Sequence, residues 1–443
     1  MRTPTRVVLV LSALTTTPGL AQRSFLLADR NNDTLYRLFD ANSDGVIQAN
    51  EVSVWFDAAN TPGTPGPLNT TALGAAPNGS VLMGDQDAAR RCLYLFRDHN
   101  GDGDAQDAGL AGAPDESVIF VSPTNASGAS TAFITGAAFD RHGQAFFVNA
   151  GNANGRDAVY LARDLNCDGD ADDAGECILY LGNGAFGPGN GPFSPQVVVF
   201  ELNADVGYLR NSSANLHGVY RFEDLSTPPN DNADDPGEFT PYWDVSATNQ
   251  TGITPTAGFA LVLDAARPRS LYTLQTASGG VDQLIRLTDL NSDKDAQDPG
   301  EATLVYDNAS AGFTAVDIVS LTNGSVLLTD NSGVSVLVLT DVNGDGDFLD
   351  PGESALFAAN VPTVFAQARQ LVTLSRNPEC PGDTNDDRTV NFADLNAVLS
   401  QFGAASVYGS AANVNAGPSG GFCAVTFADL NVILSNYGQT CAP

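Results

Sequence analysis

The sequence is short of positive charge. It carries 20 Lys and Arg against 52 Asp and Glu, a formal net charge of −32 over 443 residues. A surface this acidic repels phosphate backbones and anionic headgroups, which argues against nucleic acid and anionic membrane as partners. Histidine is scarcer, with three residues, His99, His142 and His217. None of them lies in an HExxH pattern and no Gly-x-Ser-x-Gly stretch opens a helix, so neither a zinc-peptidase nor a nucleophile-elbow motif is present. Long apolar runs are missing too. VVLVLSAL, near the start, is too short to cross a bilayer, and no later stretch reads as a transmembrane segment.

The first residues, MRTPTRVVLVLSALTTTPGLAQ, have the order of a secretory signal. Arg2 and Arg6 supply the basic start, and Gly19-Leu20-Ala21 is a small-residue cleavage site. Residues 1–21 are therefore set apart, and the mature chain is expected to be secreted, extracellular or cell-surface associated. In that setting the six cysteines favour disulfides. Cys167 and Cys177 flank one acidic loop and read as a staple across it. Two of Cys380, Cys423 and Cys441 read as a second pair, and Cys92 has no evident partner.

What the chain has in abundance is acid, and it recurs. Six segments share a plan of apolar run, acidic loop and apolar run, led by Asp40, Asp98, Asp164, Asp224, Asp289 and Asp341. Roughly 50 to 65 residues separate successive leaders, enough for one four-stranded propeller blade each. The third unit shows the strands most openly: FITGAAFD, QAFFVNA, AVYLARD, then the acidic loop and CILYL. Runs of five to eight apolar and β-branched residues between Gly- and Asn-rich turns are strand signals. The first unit lacks an innermost strand, and one extra strand, 364–376, follows the sixth. The expected fold is mostly β: a six-bladed β-propeller over residues 22–377, closed by 364–376, with EF-hand-like hairpin loops and a small α-helical module over 378–443.

The acidic loops resemble the first half of an EF-hand calcium loop, in which oxygens at positions 1, 3 and 5 converge and a glycine at position 6 allows a sharp turn. In DVNGDGDFLDPGE these are Asp341, Asn343 and Asp345, followed by Asp347, with Asp350 and Glu353 as alternatives. The third loop matches with Asp164, Asn166, Asp168 and Asp170. The fifth matches with Asp289, Asn291, Asp293 and Asp295, though Lys294 stands where the glycine belongs. The second has Asp98, Asn100, Asp102 and Asp104 but lacks the glutamate. The first, with Asp40, Asn42, Asp44 and Glu51, fits a full twelve-residue loop. The fourth, DLSTPPNDNADDPGE, is stretched by two prolines and reads as a weak site or none. The loops lie on one rim of the ring, away from its axis, so several mainly structural Ca²⁺ ions are the expected cofactor.

After Asn377 the composition changes. NFADLNAVLSQFG and TFADLNVILSNYG are duplicated loop–helix units, and residues 378–443 resemble a dockerin. That resemblance implies a calcium loop of Asp383, Asn385, Asp387, Asn391 and Asp394, with the backbone of Thr389. The second half keeps Asp429 but lacks the preceding acids. The positions that select a cohesin read Phe392-Ala393 and Phe427-Ala428, and the implied partner is a cohesin-like or cell-surface protein.

The face opposite the acidic loops is built from Asn, Gly, Ser and Pro loops such as GNGAFGPGNGPFSPQ, 182–196, with Arg90, Arg91, Arg156 and Arg210 as its few cations. Such a surface suits a glycan or peptide better than phosphate. The reading that follows is a secreted calcium-binding propeller, non-catalytic, displayed on a cell surface or polysaccharide-associated assembly. The alternative is a propeller hydrolase directed at a glycan or lactone.

Overall fold

The computed structural model describes residues 23–443 except 110–114, 152–156, 183–193, 202, 214–215, 228–229, 277–280, 309–313, 331–334, 359–366, 375–381, 386–388, 405–408, 411, 415–423 and 441–443. The signal-like segment lies outside the described residues.

Among the described residues, twenty-four strands form six sheets of four. β1 (Ser24–Asp29), β2 (Thr34–Phe39) and β3 (Val52–Phe56) open the first blade. Blade two is β4 (Thr70–Ala75), β5 (Val81–Asp85), β6 (Cys92–Phe96) and β7 (Ser117–Val121). Blade three is β8 (Ile134–Phe139), β9 (Ala145–Asn149), β10 (Ala158–Ala162) and β11 (Cys177–Leu181). Blade four is β12 (Pro195–Phe200), β13 (Gly207–Asn211), β14 (Gly218–Phe222) and β15 (Phe239–Asp244). Blade five is β16 (Leu261–Leu263), β17 (Ser270–Thr276), β18 (Asp282–Thr288) and β19 (Ala302–Asp307). Blade six is β20 (Ala315–Ser320), β21 (Val326–Asp330), β22 (Ser335–Leu339) and β23 (Ser354–Ala358). Finally β24 (Ala368–Leu374) returns to pair antiparallel with β1, completing the first blade from the far end of the chain. This is a six-bladed β-propeller, whose inner strands remain as short edges packed together around the axis.

The core is divided into wedges between neighbouring blades. In β1, Leu26 and Ala28 pack against Met83 and Tyr94 of blade two, while Phe25 and Leu27 pack against Leu327 and Phe357 of blade six. Both faces of such a strand are buried, which is why the strands read as unbroken apolar runs instead of alternating ones. The inner strands crowd together. A Cβ on Gly74 of β4 would lie 2.4 Å from the Ala137 carbonyl oxygen of β8, so only glycine fits there.

The C-terminal module has its own small core of Val390, Val398, Ala412, Val414, Val425 and Ile433 under two helices, α1 (Phe392–Ser400) and α2 (Phe427–Asn436). Each helix opens with a reciprocal capping box, Asn391 with Asp394 and Thr426 with Asp429. The segment between the helices rests on the propeller. Arg97 Nη2 donates to the Asn413 carbonyl at 2.6 Å, and the Gly409 amide donates to the Gly143 carbonyl at 2.9 Å.

The Cys167–Cys177 staple is not formed. Cys177 is a free, buried thiol whose Sγ donates to the Ala171 carbonyl at 3.3 Å, and Cys92 is free as well. Cys167 is disulfide-bonded elsewhere. Both cysteines pack on the same core, but Cys167 sits at the loop turn with φ of 61° and is committed to another disulfide, while Cys177 begins β11 with its thiol turned onto the Ala171 carbonyl. Cys380, Cys423 and Cys441 lie outside the described residues.

Candidate metal sites in the acidic loops

Each acidic loop joins the third and fourth strands of its blade. The leading aspartate turns both oxygens onto backbone amides: Asp341 accepts from Gly344 at 2.6 Å and Gly346 at 3.0 Å. Asp98, Asp164 and Asp289 do the same with the amides three and five residues on, and Asp40 accepts from Asp44 and Gly45. The asparagine two residues later draws two carboxylates together. Asn343 Nδ2 donates to Asp345 at 3.0 Å and Asp350 at 2.5 Å. Asn100 bridges Asp102 and Asp107, Asn166 bridges Asp168 and Asp173, and Asn291 bridges Asp293 and Asp298. In the first loop Asn42 accepts from the Asp44 amide. The fourth acid, Asp104, Asp170, Asp295 or Asp347, accepts the amide two residues on at 2.9 Å and shapes the next turn.

The glutamate closes the frame. Glu353 accepts from the Val342 amide at 3.0 Å and the Asp350 amide at 3.1 Å, and Glu51, Glu176 and Glu301 make the equivalent bonds. One sequence reading is corrected by these bonds. The second loop does have its glutamate: Glu116, beyond an insertion, accepts from the His99, Asn100 and Asp107 amides. The stretched fourth loop also keeps the frame. Asp224 accepts from Asn230 and Asp231, Asn230 reaches Asp235, and Glu238 accepts from Leu225 and Asp235. Its two prolines, 228–229, lie outside the described residues. Chain spacing hid both frames because an insertion changes sequence distance without changing where the strand returns.

A further feature was not read from the sequence. One apolar loop residue donates its amide to the outer strand of the preceding blade, all round the ring. Ile47 binds Phe357, Ala105 binds Trp55, Ala171 binds Phe120, Ala233 binds Tyr180, Ala296 binds Tyr242 and Phe348 binds Val305, each at 2.7–2.9 Å. Within each loop this is the apolar residue that is buried, whereas Leu165, Leu225, Leu290, Val342 and Leu349 in the same loops are exposed. Arginines reinforce the contact: Arg286 donates to the Gly346 carbonyl at 2.6 Å, and Arg163 pairs with Asp231 at 2.8 Å.

The loops are electrostatically costly. Burial pushes the Asp98, Asp104, Asp170 and Asp295 carboxyls above the usual carboxylate range, and neighbouring acids push the same way. Burial raises Glu116 to about 7. A divalent cation would relieve this crowding. Asp341, Asp345 and Glu353 offer oxygens within 4.8 Å of one another, the one such carboxylate trio among the described residues. Opposite ligands of a calcium ion stand up to about 5 Å apart, so this trio fits one ion, with the neighbouring Asn and Asp oxygens as further hard donors.

In the C-terminal module, Asp394 is fully buried; it accepts from the Thr384 and Asn391 amides. Asn391 caps α1 and donates to the Thr389 carbonyl at 3.0 Å. Asp383 and Asn385 precede this cap, and Asp387 lies outside the described residues.

On the opposite face, strand ends are latched by side chains. Asp29, Asp85 and Asp330 accept the amides of Gln367, Leu68 and Thr314, which enter the inner strands of their own blades. Asn149 and Asn211 hold Phe133 and Ser194 in the same way. Arg210 is not a surface cation of this face but is wholly buried. Arg90 donates to the Gly66 carbonyl, and Arg156 and most of 182–196 lie outside the described residues. His142 is paired with Asp205 at 2.8 Å on the loop-bearing face.

No family model and no curated protein matches this chain. Solved structures do. A chain of a nidogen–laminin complex aligns with a TM-score of 0.50 at 11% identity, over 80% of this chain and 100% of that one. A putative 6-phosphogluconolactonase from Bacteroides fragilis aligns at 0.45 and 11% identity, over 82% and 99%. The periplasmic gluconolactonase of Pseudomonas aeruginosa aligns at 0.43 and 12%, over 80% and 99%. At these identities the likeness is one of fold alone.

Proposed function

We propose that this chain is an exported propeller whose acidic loops bind calcium, and that its dockerin-like module joins it to a partner, with the propeller as a non-catalytic binding or structural module. The observation that carries the reading is positional. Every oxygen-rich loop is also the segment that reaches back to the preceding blade. Asp341, Asp345 and Glu353, and their counterparts in the other loops, would hold the ion, which neutralises packed carboxylates and stiffens that contact. The module supports the second half of the proposal. Phe392, Leu399, Phe402, Phe427, Leu434 and Tyr437 are exposed on or beside its helices, an apolar surface suited to a cohesin-like or cell-surface protein. On the opposite face Asp29, Asp85 and Asp330 are engaged by backbone amides, which favours binding of a glycan or peptide there over acid–base hydrolysis.

The test is metal stoichiometry with a thermal melt of the mature chain, in calcium and then in chelator. Roughly five or six ions bound by the propeller, with a clear fall in melting temperature on chelation, supports the reading. One ion or none, with an unchanged melt, overturns it.

A further inference from the structure

A second feature lies between blades four and five, on the face away from the acidic loops. Arg210, next to the last residue of β13, is 0% exposed. Its Nη2 donates to the Thr256 carbonyl at 2.6 Å, while Nε and Nη1 are buried with no hydrogen-bond partner. No carboxylate pairs with it among the described residues. Arg163, Arg221 and Arg267, in contrast, each pair with an acid. Burial pushes its pKa down to about 10, so the guanidinium is still charged at neutral pH.

The surroundings are short of acceptors as well. Trp243, whose ring centroid lies 5.9 Å from Arg210 Cζ, buries its Nε1–H without a partner, and His217 buries Nδ1 without one. His217 is only partly buried, and both desolvation and the Arg210 charge lower its pKa, which favours the neutral ring. Gly258 makes room for the guanidinium, since a Cβ there would lie 2.6 Å from Nη2. A buried charge without a counter-ion is costly, and in a chain of net charge −32 the lack of a paired carboxylate among the described residues is not for want of acid. The shortage is local: Arg210, Trp243 and His217 all belong to blade four, facing the Thr256–Gly258 segment that leads into blade five.

We propose that the buried interface between blades four and five binds a small anionic group bearing oxygen acceptors, a carboxylate or an inorganic oxyanion, through Arg210 Nε and Nη1 with Trp243 Nε1 beside them. The proposal is independent of calcium and of the acidic loops. The guanidinium supplies charge, the indole supplies a neutral donor, and the blade interface excludes water, which strengthens both.

The test uses the full mature chain, with acetate and sulfate as probes titrated at constant ionic strength against chloride. Tryptophan emission and melting temperature are followed in the parent and in Arg210→Met. The expected result is a saturable change in both signals for the parent and a loss of affinity of roughly ten- to hundred-fold in the variant. The probe that saturates distinguishes a carboxylate site from an inorganic oxyanion site. Equal responses in parent and variant, or no response in the parent, overturn the proposal and leave the donors to ordered water. If Arg210→Met does not melt cooperatively, Trp243→Phe, which keeps an aromatic side chain but removes the indole N–H, is read by melting temperature, with Trp55→Phe as the control for lost bulk. An unchanged anion response there likewise counts against the site.

Discussion

The backbone amide of Ala171 donates to the carbonyl of Phe120 at 2.7 Å, which ties the acidic loop of blade three to the outer strand of blade two. The Ala171 side chain is fully buried in the wedge between those blades. Replacing it with leucine inserts bulk where the loop must lie flat. Ala171→Leu is expected to destabilise by about 1–3 kcal/mol, read as a fall in urea midpoint at constant slope. An unchanged midpoint would mean that the loop contact contributes little.

Glu116 is the clearest test of the loop frame in blade two. Its carboxylate is buried and accepts three backbone amides. Glu116→Ala leaves those amides without an acceptor and is expected to cost about 1–3 kcal/mol. A loss equal to that of an exposed control such as Asp115→Ala would remove Glu116 from the frame.

Lys294 occupies the left-handed region, with φ of 78°, at the position that Gly103, Gly169 and Gly346 hold in other loops. An L side chain is strained there. Lys294→Gly should therefore raise stability by about 1 kcal/mol, measured by equilibrium unfolding, although it removes a positive charge from an acidic loop.

Asp317, on the inner strand β20, accepts the amides of Ile318 and of Leu371 on β24, across the seam where the ring closes. Desolvation raises its carboxyl to about 7. The folded value lies above the unfolded one, so the protonated carboxyl favours the fold. That contribution is full below about pH 4 and declines until the pH passes about 7. Asp317→Asn should lack this slope, so the stability of the variant relative to the parent rises between pH 4 and 7. A constant difference over that range would refute the assignment.

The strands and their number were legible because both faces of a propeller strand are buried. Phe25 to Ala28 and Ala145 to Val148 therefore announce themselves as apolar runs between polar turns. The acidic frames with unbroken spacing, such as Asp164 to Glu176, were legible for a local reason, since their hydrogen bonds join residues within one short loop. Glu116 and Glu238 were not, because insertions moved them away from the spacing that marked the others. Cysteine pairing failed for a related reason: Cys167 and Cys177 are near in sequence, yet one lies on a loop turn and the other at the start of a buried strand.

By itself the sequence determined the blade count, the place of each loop between the third and fourth strands, and the density of acid in those loops, because all three are written in local pattern. Only the tertiary structure decided that each loop grips the blade before it, and that Arg210 is buried between two blades with no acid paired to it among the described residues. These are contacts between segments far apart in the chain, set by how six wedges pack around one axis, and no local pattern records which groups that packing leaves facing one another.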